Sequence, residues 1–153
     1  MPTRTVTVKR RLKAPAAALY ATLTDPDGFA GVRGVRSVEI LKEGAEGPIS
    51  VGTVRRVDLA AGFLTEEIVA LEPGTRFDYL IRDAPISFDH RFGRIEFHDR
   101  DGFTEAVWPS TFDFDLPVPV AGAVIAAVGA AGCHAAFAAA LGEFDRAART
   151  GAR

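Results

Sequence analysis

The stretch that decides the fold runs from Leu116 to Gly142 and reads LPVPVAGAVIAAVGAAGCHAAFAAALG. Its 27 residues include no Asp, Glu, Lys or Arg, and 14 of the 26 alanines of the chain follow residue 120. A run of this length is able to span a membrane. Its apolar character rests on Ala and Gly, however, and it contains Pro117, Pro119 and His134, all of which weaken membrane insertion. The pattern therefore favours a long helix over about 120–148 that packs on a sheet.

The sequence before this stretch predicts seven β-strands, because apolar and polar residues alternate in seven segments separated by turn residues. After the first strand, Pro15 opens a short helical segment over Ala16 to Thr24. The order is therefore strand, short helices, six strands and a long helix, which indicates an α+β fold with an antiparallel meander. The predicted strands are 4–12, 35–43, 51–59, 63–71, 76–82, 92–98 and 103–114.

Length and composition exclude several classes of protein. With 153 residues the chain is expected to form one domain over residues 1–153. A net charge of -2, with 25% charged and 48% apolar residues, excludes a disordered tail and a strongly basic nucleic-acid binder. The single Cys133 cannot form an intramolecular disulfide and no secretory signal is visible, which predicts a cytoplasmic protein. Phosphate-loop glycines and metal-ligand spacing are missing, so we expect no cofactor and no metal.

Turn lengths predict which side chains share a face of the sheet. A three-residue turn at 60–62 places Leu59 opposite Phe63 and, further along, Arg55 opposite Glu67. Burial of either charge alone is costly, so two inward-facing charges must pair with each other or contact a polar ligand. The pair is therefore either a cross-strand salt bridge that fixes the register or part of a binding or catalytic site.

Other residues of the predicted inner face are large and mostly aromatic. A turn over 99–102 places Phe97 opposite Thr104 in the last hairpin. On the helix, Phe137 lies on the stripe that faces the sheet, with His134 at its edge. The rest of that stripe is largely alanine, which favours a space between the helix and the sheet. Besides the charged pair, the inner face of the sheet is predicted to hold Thr65, Phe77, Tyr79, Phe97, Trp108, Ser110 and Phe112.

A set of turn and strand residues spread over nearly the whole chain resembles the polyketide cyclase/dehydrase branch of the START-like (SRPBCC) superfamily. They are Ala14-Pro15 through Leu23-Thr24-Asp25, Val51-Gly52-Thr53-Val54-Arg55-Arg56, Glu66-Glu67, Leu71-Glu72-Pro73, Tyr79 with Pro85, Gly93, and the strand from Thr104 to Trp108. The resemblance implies a helix-grip fold, in which a curved seven-stranded antiparallel sheet wraps around a long C-terminal helix, with two short helices after strand 1. It also implies a deep hydrophobic cavity and a bacterial source.

The resemblance leaves two main functions open. One is the binding of a small hydrophobic ligand, polyketide-like, aromatic or lipid-like, in the cavity. The alternative is a polyketide cyclase or dehydratase that catalyses aldol ring closure and dehydration. In that reaction Arg55 would hold the developing enolate, Glu67 would exchange the proton and Tyr79 would donate to a second oxygen. His134 is a second candidate for the base.

The expected ligand contacts come from the inner face of the sheet and from the helix. A third interpretation is an interaction protein that shields the apolar surface of a partner. We expect no nucleic-acid partner and no integral membrane association, whereas a carrier protein and a homodimer both stay open. Asp89-His90-Arg91 is predicted to be a solvated loop near the cavity mouth. The predicted ligand-binding residues are Arg55, Thr65, Glu67, Phe77, Tyr79, Phe97, Trp108, Ser110, Phe112, His134 and Phe137.

Overall fold

The computed structural model describes residues 3–60, 62–85, 89–113 and 119–151, and for 119–133 and 151 it describes the helical backbone without side chains. The elements follow one another in the predicted α+β order. They are β1 (Thr3–Leu12), α1 (Ala16–Thr24), α2 (Pro26–Ala30), β2 (Val35–Lys42), β3 (Val54–Leu59), β4 (Gly62–Glu72), β5 (Arg76–Asp83), β6 (Asp89–Arg100), β7 (Phe103–Asp113) and α3 (Pro119–Gly151).

The seven strands form one antiparallel sheet in the order β1-β7-β6-β5-β4-β3-β2. Strands β2 to β7 form the predicted meander, because each pairs with the next along the chain. β1 pairs with β7, and residues 13–34, which include α1 and α2, connect β1 to β2 at the opposite edge. Within the part of the chain that is described, no helix is long and apolar enough to cross a membrane.

The C-terminal helix α3 packs across β1. Val8 and Leu12 of β1 are buried, and so is Leu141 of α3. Arg10 follows the same alternation, and its guanidinium donates to the backbone carbonyl of Ala138. A Cβ atom at Gly142 would lie 2.7 Å from Arg10 Nη1, so the glycine provides the space in which the arginine crosses the helix.

Two carboxylates hold the segment that joins β1 to α1. Asp145 Oδ1 on α3 accepts hydrogen bonds from the backbone nitrogens of Lys13, at 2.9 Å, and Ala14, at 2.7 Å. Asp99 Oδ1 at the end of β6 accepts one from the nitrogen of Ala16, at 3.0 Å. A carboxylate at the start of a helix satisfies amide groups that have no partner within the helix. The start of α1 is thus tied both to α3 and to the β6–β7 hairpin.

The predicted register between β3 and β4 is wrong by one residue. β4 begins at Gly62, which pairs with Leu59, so Arg55 lies opposite Glu66. Because successive side chains of a strand point to opposite faces, this shift turns Glu66 inward and Glu67 outward. The predicted Arg55–Glu67 pair does not form.

A β-bulge in β4 keeps the next strand in the predicted orientation. Ile68 pairs with Tyr79 and Ala70 pairs with Asp78, so Val69 is the extra residue of the bulge. Val69 is exposed, whereas Ile68 is fully buried. Tyr79 therefore points inward as predicted, although the strand before it is shifted.

The register of the last hairpin also differs from the predicted one, but its side chains lie on the predicted faces of the sheet. Phe97 pairs with Ala106 and not with Thr104, because the turn contains only residues 101 and 102. The pairing changes by two residues, and an even shift leaves every side chain on its original face. Trp108 and Ser110 consequently lie on the predicted face.

Candidate functional site

Two clusters of side chains occupy the inner side of the sheet. We call the first the Arg55 cluster; it lies under α1 and α2 and consists of Leu23, Phe29, Arg55, Glu66 and Phe77. We call the second the aromatic wall; it lies under α3 and consists of Tyr79, His90, Trp108, Phe112 and Phe137. The two clusters have no residue in common.

Arg55 is enclosed by its own chain. Its side chain is 0% exposed, its Nε donates to the carboxylate of Glu66, and its Nη1 donates to the carbonyl of Leu23 at 2.8 Å. The guanidinium carbon lies 4.6 Å from the ring centre of Phe29 and 5.0 Å from that of Phe77. Aromatic faces attract cations, so the two rings stabilise the charge that Glu66 balances. The cluster thereby fastens α1 and α2 to the sheet.

The geometry fits the interpretation of the charged pair as a cross-strand salt bridge. The acid of this salt bridge is Glu66 and not Glu67. Glu66 Oε1 accepts from the guanidinium that Glu67 was expected to meet. Glu67 lies on the outer face, where its Oε1 is 3.0 Å from Arg82 Nη2. Arg55 Nη2 is buried and has no hydrogen-bond partner among the described residues.

The aromatic wall joins the sheet to α3 through stacked rings. Trp108 of β7 and Phe137 of α3 stack face to face, with ring centres 4.1 Å apart and an interplanar angle of 6°. Phe137 also lies 6.5 Å from Phe112. Trp108 Nε1 donates to the hydroxyl oxygen of Tyr79 at 2.7 Å. Trp108 and Phe137 are only half-buried, which distinguishes them from the core aromatics.

His90 is the polar centre of the wall and is 8% exposed. The backbone nitrogen of Ile81 donates to its Nδ1 at 2.9 Å, so that nitrogen carries a lone pair and the ring proton sits on Nε2. Nε2 lies 2.7 Å from the hydroxyl of Ser110, to which it donates. Ser110 in turn donates to the carbonyl of Phe92 at 3.3 Å. Burial lowers the pKa of His90 from 6.5 to about 4, so the imidazole is neutral at physiological pH.

The His90 ring packs against two aromatic rings, and a glycine makes room for this stack. The ring centres of Tyr79 and His90 are 5.2 Å apart and those of His90 and Phe112 are 5.0 Å apart. A Cβ atom at Gly93 would lie 2.5 Å from Tyr79 Cζ and 2.7 Å from His90 Cε1. Contacts this short do not occur between real side chains, so the stack requires glycine at this position.

The structure brings together five of the predicted ligand-binding residues, namely Tyr79, Trp108, Ser110, Phe112 and Phe137. Arg55 and Phe77 belong to the Arg55 cluster, and Phe97 is a core residue that is 1% exposed. Thr65 and Glu67 lie on the outer face because of the register shift. His134 is exposed on α3. Of the three catalytic candidates, only Tyr79 lies in the wall.

Sequence reasoning missed Glu66, His90 and Phe29. The prediction of a solvated loop over residues 89–91 is wrong, because these residues begin β6 and His90 is buried. A register shift between His90 and Phe92 breaks the alternation that would have revealed the inward face. The glycine at position 93 was a usable signal, since a glycine inside a strand often marks a close approach.

The predicted cavity faces a part of α3 whose side chains lie outside the described residues. Cys133 and the alanine stripe of 123–130 belong to that part. The described residues do line an open groove of about 600 Å³ between α1, α2 and the end of α3. Asp25, Arg33 and Arg146 border this groove, which makes it a charged surface feature and not the predicted apolar cavity.

Comparisons with known proteins agree with the fold. No curated protein matches the chain. It is similar to the solved Zhui aromatase/cyclase from Streptomyces sp. R1128, with 23% identity, 95% of both chains covered and a TM-score of 0.66. It is also similar to TTHA0849 from Thermus thermophilus, with 15% identity, 98% and 100% covered and a TM-score of 0.75. A third similar structure is Ara h 8.0201, with 16% identity, 96% and 95% covered and a TM-score of 0.62.

The predicted helix-grip fold, with its curved sheet, is confirmed by these structures and by the element order. Identities of this size establish the fold and no more. A family model described as polyketide cyclase/dehydrase and lipid transport matches residues 3–149. The chain belongs to this polyketide cyclase/dehydrase and lipid transport family.

Proposed function

We propose that the protein binds a small hydrophobic ligand, polyketide-like, aromatic or lipid-like, against the aromatic wall, beside the Trp108–Phe137 stack. The observation that carries the proposal is the Trp108–Phe137 stack, in which two large rings on facing elements stay half-buried. Binding sites for small molecules are lined mainly by apolar and aromatic side chains with a few polar groups. The Tyr79 hydroxyl and the His90–Ser110 pair supply such polar groups. A ligand that inserts beside the stack would gain the burial these rings lack.

The polar groups of the wall support binding more than catalysis. Both ring nitrogens of His90 are engaged, Nδ1 by the Ile81 amide and Nε2 by Ser110, so neither offers a lone pair for proton abstraction. Arg55 and Glu66 neutralise each other inside the other cluster. No carboxylate is among the hydrogen-bond partners described for the wall. The alternative, a cyclase or dehydratase, is therefore left with Tyr79 as its one predicted catalytic group in this place.

The only tryptophan of the chain provides a direct test, because Trp108 is part of the wall. Titration with the uncharged probe N-phenyl-1-naphthylamine, read as energy transfer from Trp108, should give saturable binding. Phe137→Ala should weaken the affinity by about tenfold, since the side chain supplies apolar contact worth at least about 1.4 kcal/mol. Phe63→Ala is the matched control, because Phe63 is a half-buried phenylalanine of the outer face that packs under Arg56.

Equal affinities of the wild type and Phe137→Ala would overturn the proposed site. Native mass spectrometry of the purified protein should in addition show a bound apolar molecule. Incubation with a poly-β-ketone tests the alternative: cyclised product that disappears in Tyr79→Phe would replace a binding function by a cyclase. The carrier protein and the second copy of the chain stay predictions, which size-exclusion chromatography with and without a carrier protein would test.

A further inference from the structure

The sheet is split where β5 and β6 approach the connection between them. The ladder between these strands runs from Arg76 opposite Glu96 to Tyr79 opposite Gly93 and is described no further. On its other side, β5 stays paired with β4 as far as Asp83. The end of β5 is therefore paired with β4 on one side and has no ladder pairing with β6 described on the other.

His90 bridges this split with its side chain. The Ile81 amide, which would otherwise face the missing ladder, donates to Nδ1 of His90 at 2.9 Å. The opposite nitrogen of the same ring is anchored to Ser110 on β7 at 2.7 Å. One imidazole thus links β5 to β7 across the irregular start of β6. An amide that loses its partner in this part-buried position costs free energy, so this bond holds the end of β5 in place.

Protonation would convert this bond into a repulsive contact. A proton on Nδ1 makes that nitrogen a donor, and it would then face the Ile81 N–H, which is also a donor. Rotation of the ring offers no relief, because a protonated imidazole has no acceptor atom to present to the Ile81 N–H in any orientation. The end of β5 or the ring itself has to move away.

The surroundings of His90 contain no charge that would offset this effect among the residues described. From β5 the ring meets the Tyr79 phenol and the Ile81 amide, and from β7 it meets the Ser110 hydroxyl and the Phe112 ring. From α3, Phe137 packs on Phe112 and not on an ionised group.

The charged neighbours of His90 along β6 point elsewhere. Asp89 and Arg91 are exposed, and Arg91 pairs with Asp113 of β7. None of the described contacts of the ring is therefore charged at neutral pH. A proton on the ring would gain no partner within the closed structure.

We infer that His90 is a proton-operated latch, which closes the split between β5 and β6 when neutral and opens it when Nδ1 takes up a proton. Opening separates Tyr79 from His90 and thereby dismantles one side of the aromatic wall. Acid would then release a ligand held there, a consequence that rests on the proposed function. The latch itself does not depend on the identity of any ligand.

Amide hydrogen exchange followed by NMR tests the latch directly. The pKa of His90 lies at about 4 in the closed state, against 6.5 for a solvated ring. Linkage then predicts that the opening equilibrium at Ile81, read as its protection factor, shifts by about a hundredfold between pH 7 and pH 4. The Phe97 amide, which donates to the carbonyl of Thr75 at 2.8 Å, should stay better protected than Ile81 at every pH, because it exchanges only when the whole protein unfolds.

Two variants assign the effect to one ring. In His90→Asn, the amide oxygen takes the place of Nδ1 and cannot titrate, so Ile81 should stay protected across the whole range. His98→Asn is the matched control, because His98 is half-buried beside Glu96, and it should keep the wild-type pH dependence. If His90→Asn fails to fold, the midpoint of the Ile81 transition in the wild type must coincide with the titration of the His90 ring protons.

Three outcomes would overturn the latch: Ile81 protection that is independent of pH, Ile81 protection equal to that of Phe97 at every pH, or an unchanged transition in His90→Asn. Binding of N-phenyl-1-naphthylamine over the same pH range separates the two proposals. Absence of binding at pH 7 would contradict the proposed function. The latch would then be tested by hydrogen exchange alone. Binding that persists at pH 4 after Ile81 has opened would remove only the link between the latch and release.

Discussion

The Arg55 cluster and the aromatic wall share one sheet and differ in how their polar groups are used. Arg55 is fully buried, charged, and paired with a carboxylate, a carbonyl and two rings of its own chain. His90 is nearly as buried, but it is neutral, and the wall to which it belongs also contains the half-buried rings of Trp108 and Phe137. A buried charge is therefore not by itself a sign of a site. The half-buried rings belong to the neutral cluster, whereas in the charged cluster Arg55 Nη2 is the atom without a hydrogen-bond partner among the described residues.

Arg55→Ala should have the largest effect on stability. It leaves the Glu66 carboxylate buried without its partner, which we expect to lower the free energy of unfolding by about 3 to 5 kcal/mol. Urea denaturation followed by circular dichroism measures this loss. Under conditions where the variant is folded, its affinity for N-phenyl-1-naphthylamine should equal that of the wild type.

The double variant Arg55→Met/Glu66→Leu is the control for this prediction. Apolar replacements of similar volume often restore the stability lost by breaking a buried pair. The double variant should therefore be more stable than Arg55→Ala. If the double variant is well folded but does not bind the probe, Arg55 contributes to ligand binding and is not only structural.

Acid should destabilise the protein through the aromatic wall. Because the pKa of His90 is about 4 when folded and 6.5 when unfolded, the unfolded chain takes up the proton first as the pH falls. The contribution is complete above pH 6.5 and is lost between pH 6.5 and pH 4, at a cost of about 2 to 3 kcal/mol after allowance for residual solvent. Urea midpoints measured across this range should show the slope, and His90→Asn should remove it.

Gly93→Ala should disturb the wall and leave the Arg55–Glu66 pair in place. The added methyl group collides with the Tyr79 and His90 rings, and overpacking of this kind costs roughly 2 kcal/mol. Probe affinity should fall together with stability. Gly31→Ala provides the comparison, since its Cβ would meet no atom closer than 3.4 Å, and an equal loss in both variants would argue against a specific stack.

Glu67→Ala should have the smallest effect, although the sequence made Glu67 a candidate acid. Its partner Arg82 is half-exposed, and surface ion pairs contribute about 0 to 1 kcal/mol. Probe affinity should not change. A loss of affinity above threefold in Glu67→Ala, with Glu66→Gln unaffected in binding, would restore the original assignment of the acid.

The order of strands and helices was predictable because it rests on periodicity, and seven alternating segments leave little freedom for their pairing. The register was not predictable to one residue. Ala60-Ala61-Gly62 fits a turn of either two or three residues, and this single ambiguity exchanged Glu66 for Glu67. The same kind of ambiguity in the last hairpin was harmless, because there the shift was even.

The candidate site was predictable where it lies on regular strands. Trp108, Ser110 and Phe112 follow one another at every second position of β7, and alternation alone places them together. His90 was out of reach because the irregularity beside it interrupts the period. Gly93 was a local signal, but a glycine inside a strand marks a bulge or a close approach without showing which neighbouring side chain turns inward.

The pairing of β1 with β7 has a consequence for the order in which the chain folds. Thr3 to Leu12 pair with residues about a hundred positions later in the chain. The amides of Lys13 and Ala14 bind Asp145, which comes still later. During synthesis, the first strand therefore emerges long before anything exists for it to join. Contacts of such long range are formed late and slow the overall rate. We expect this strand to be the last of the sheet to become protected when the protein refolds, and the one most exposed to intermolecular pairing until then.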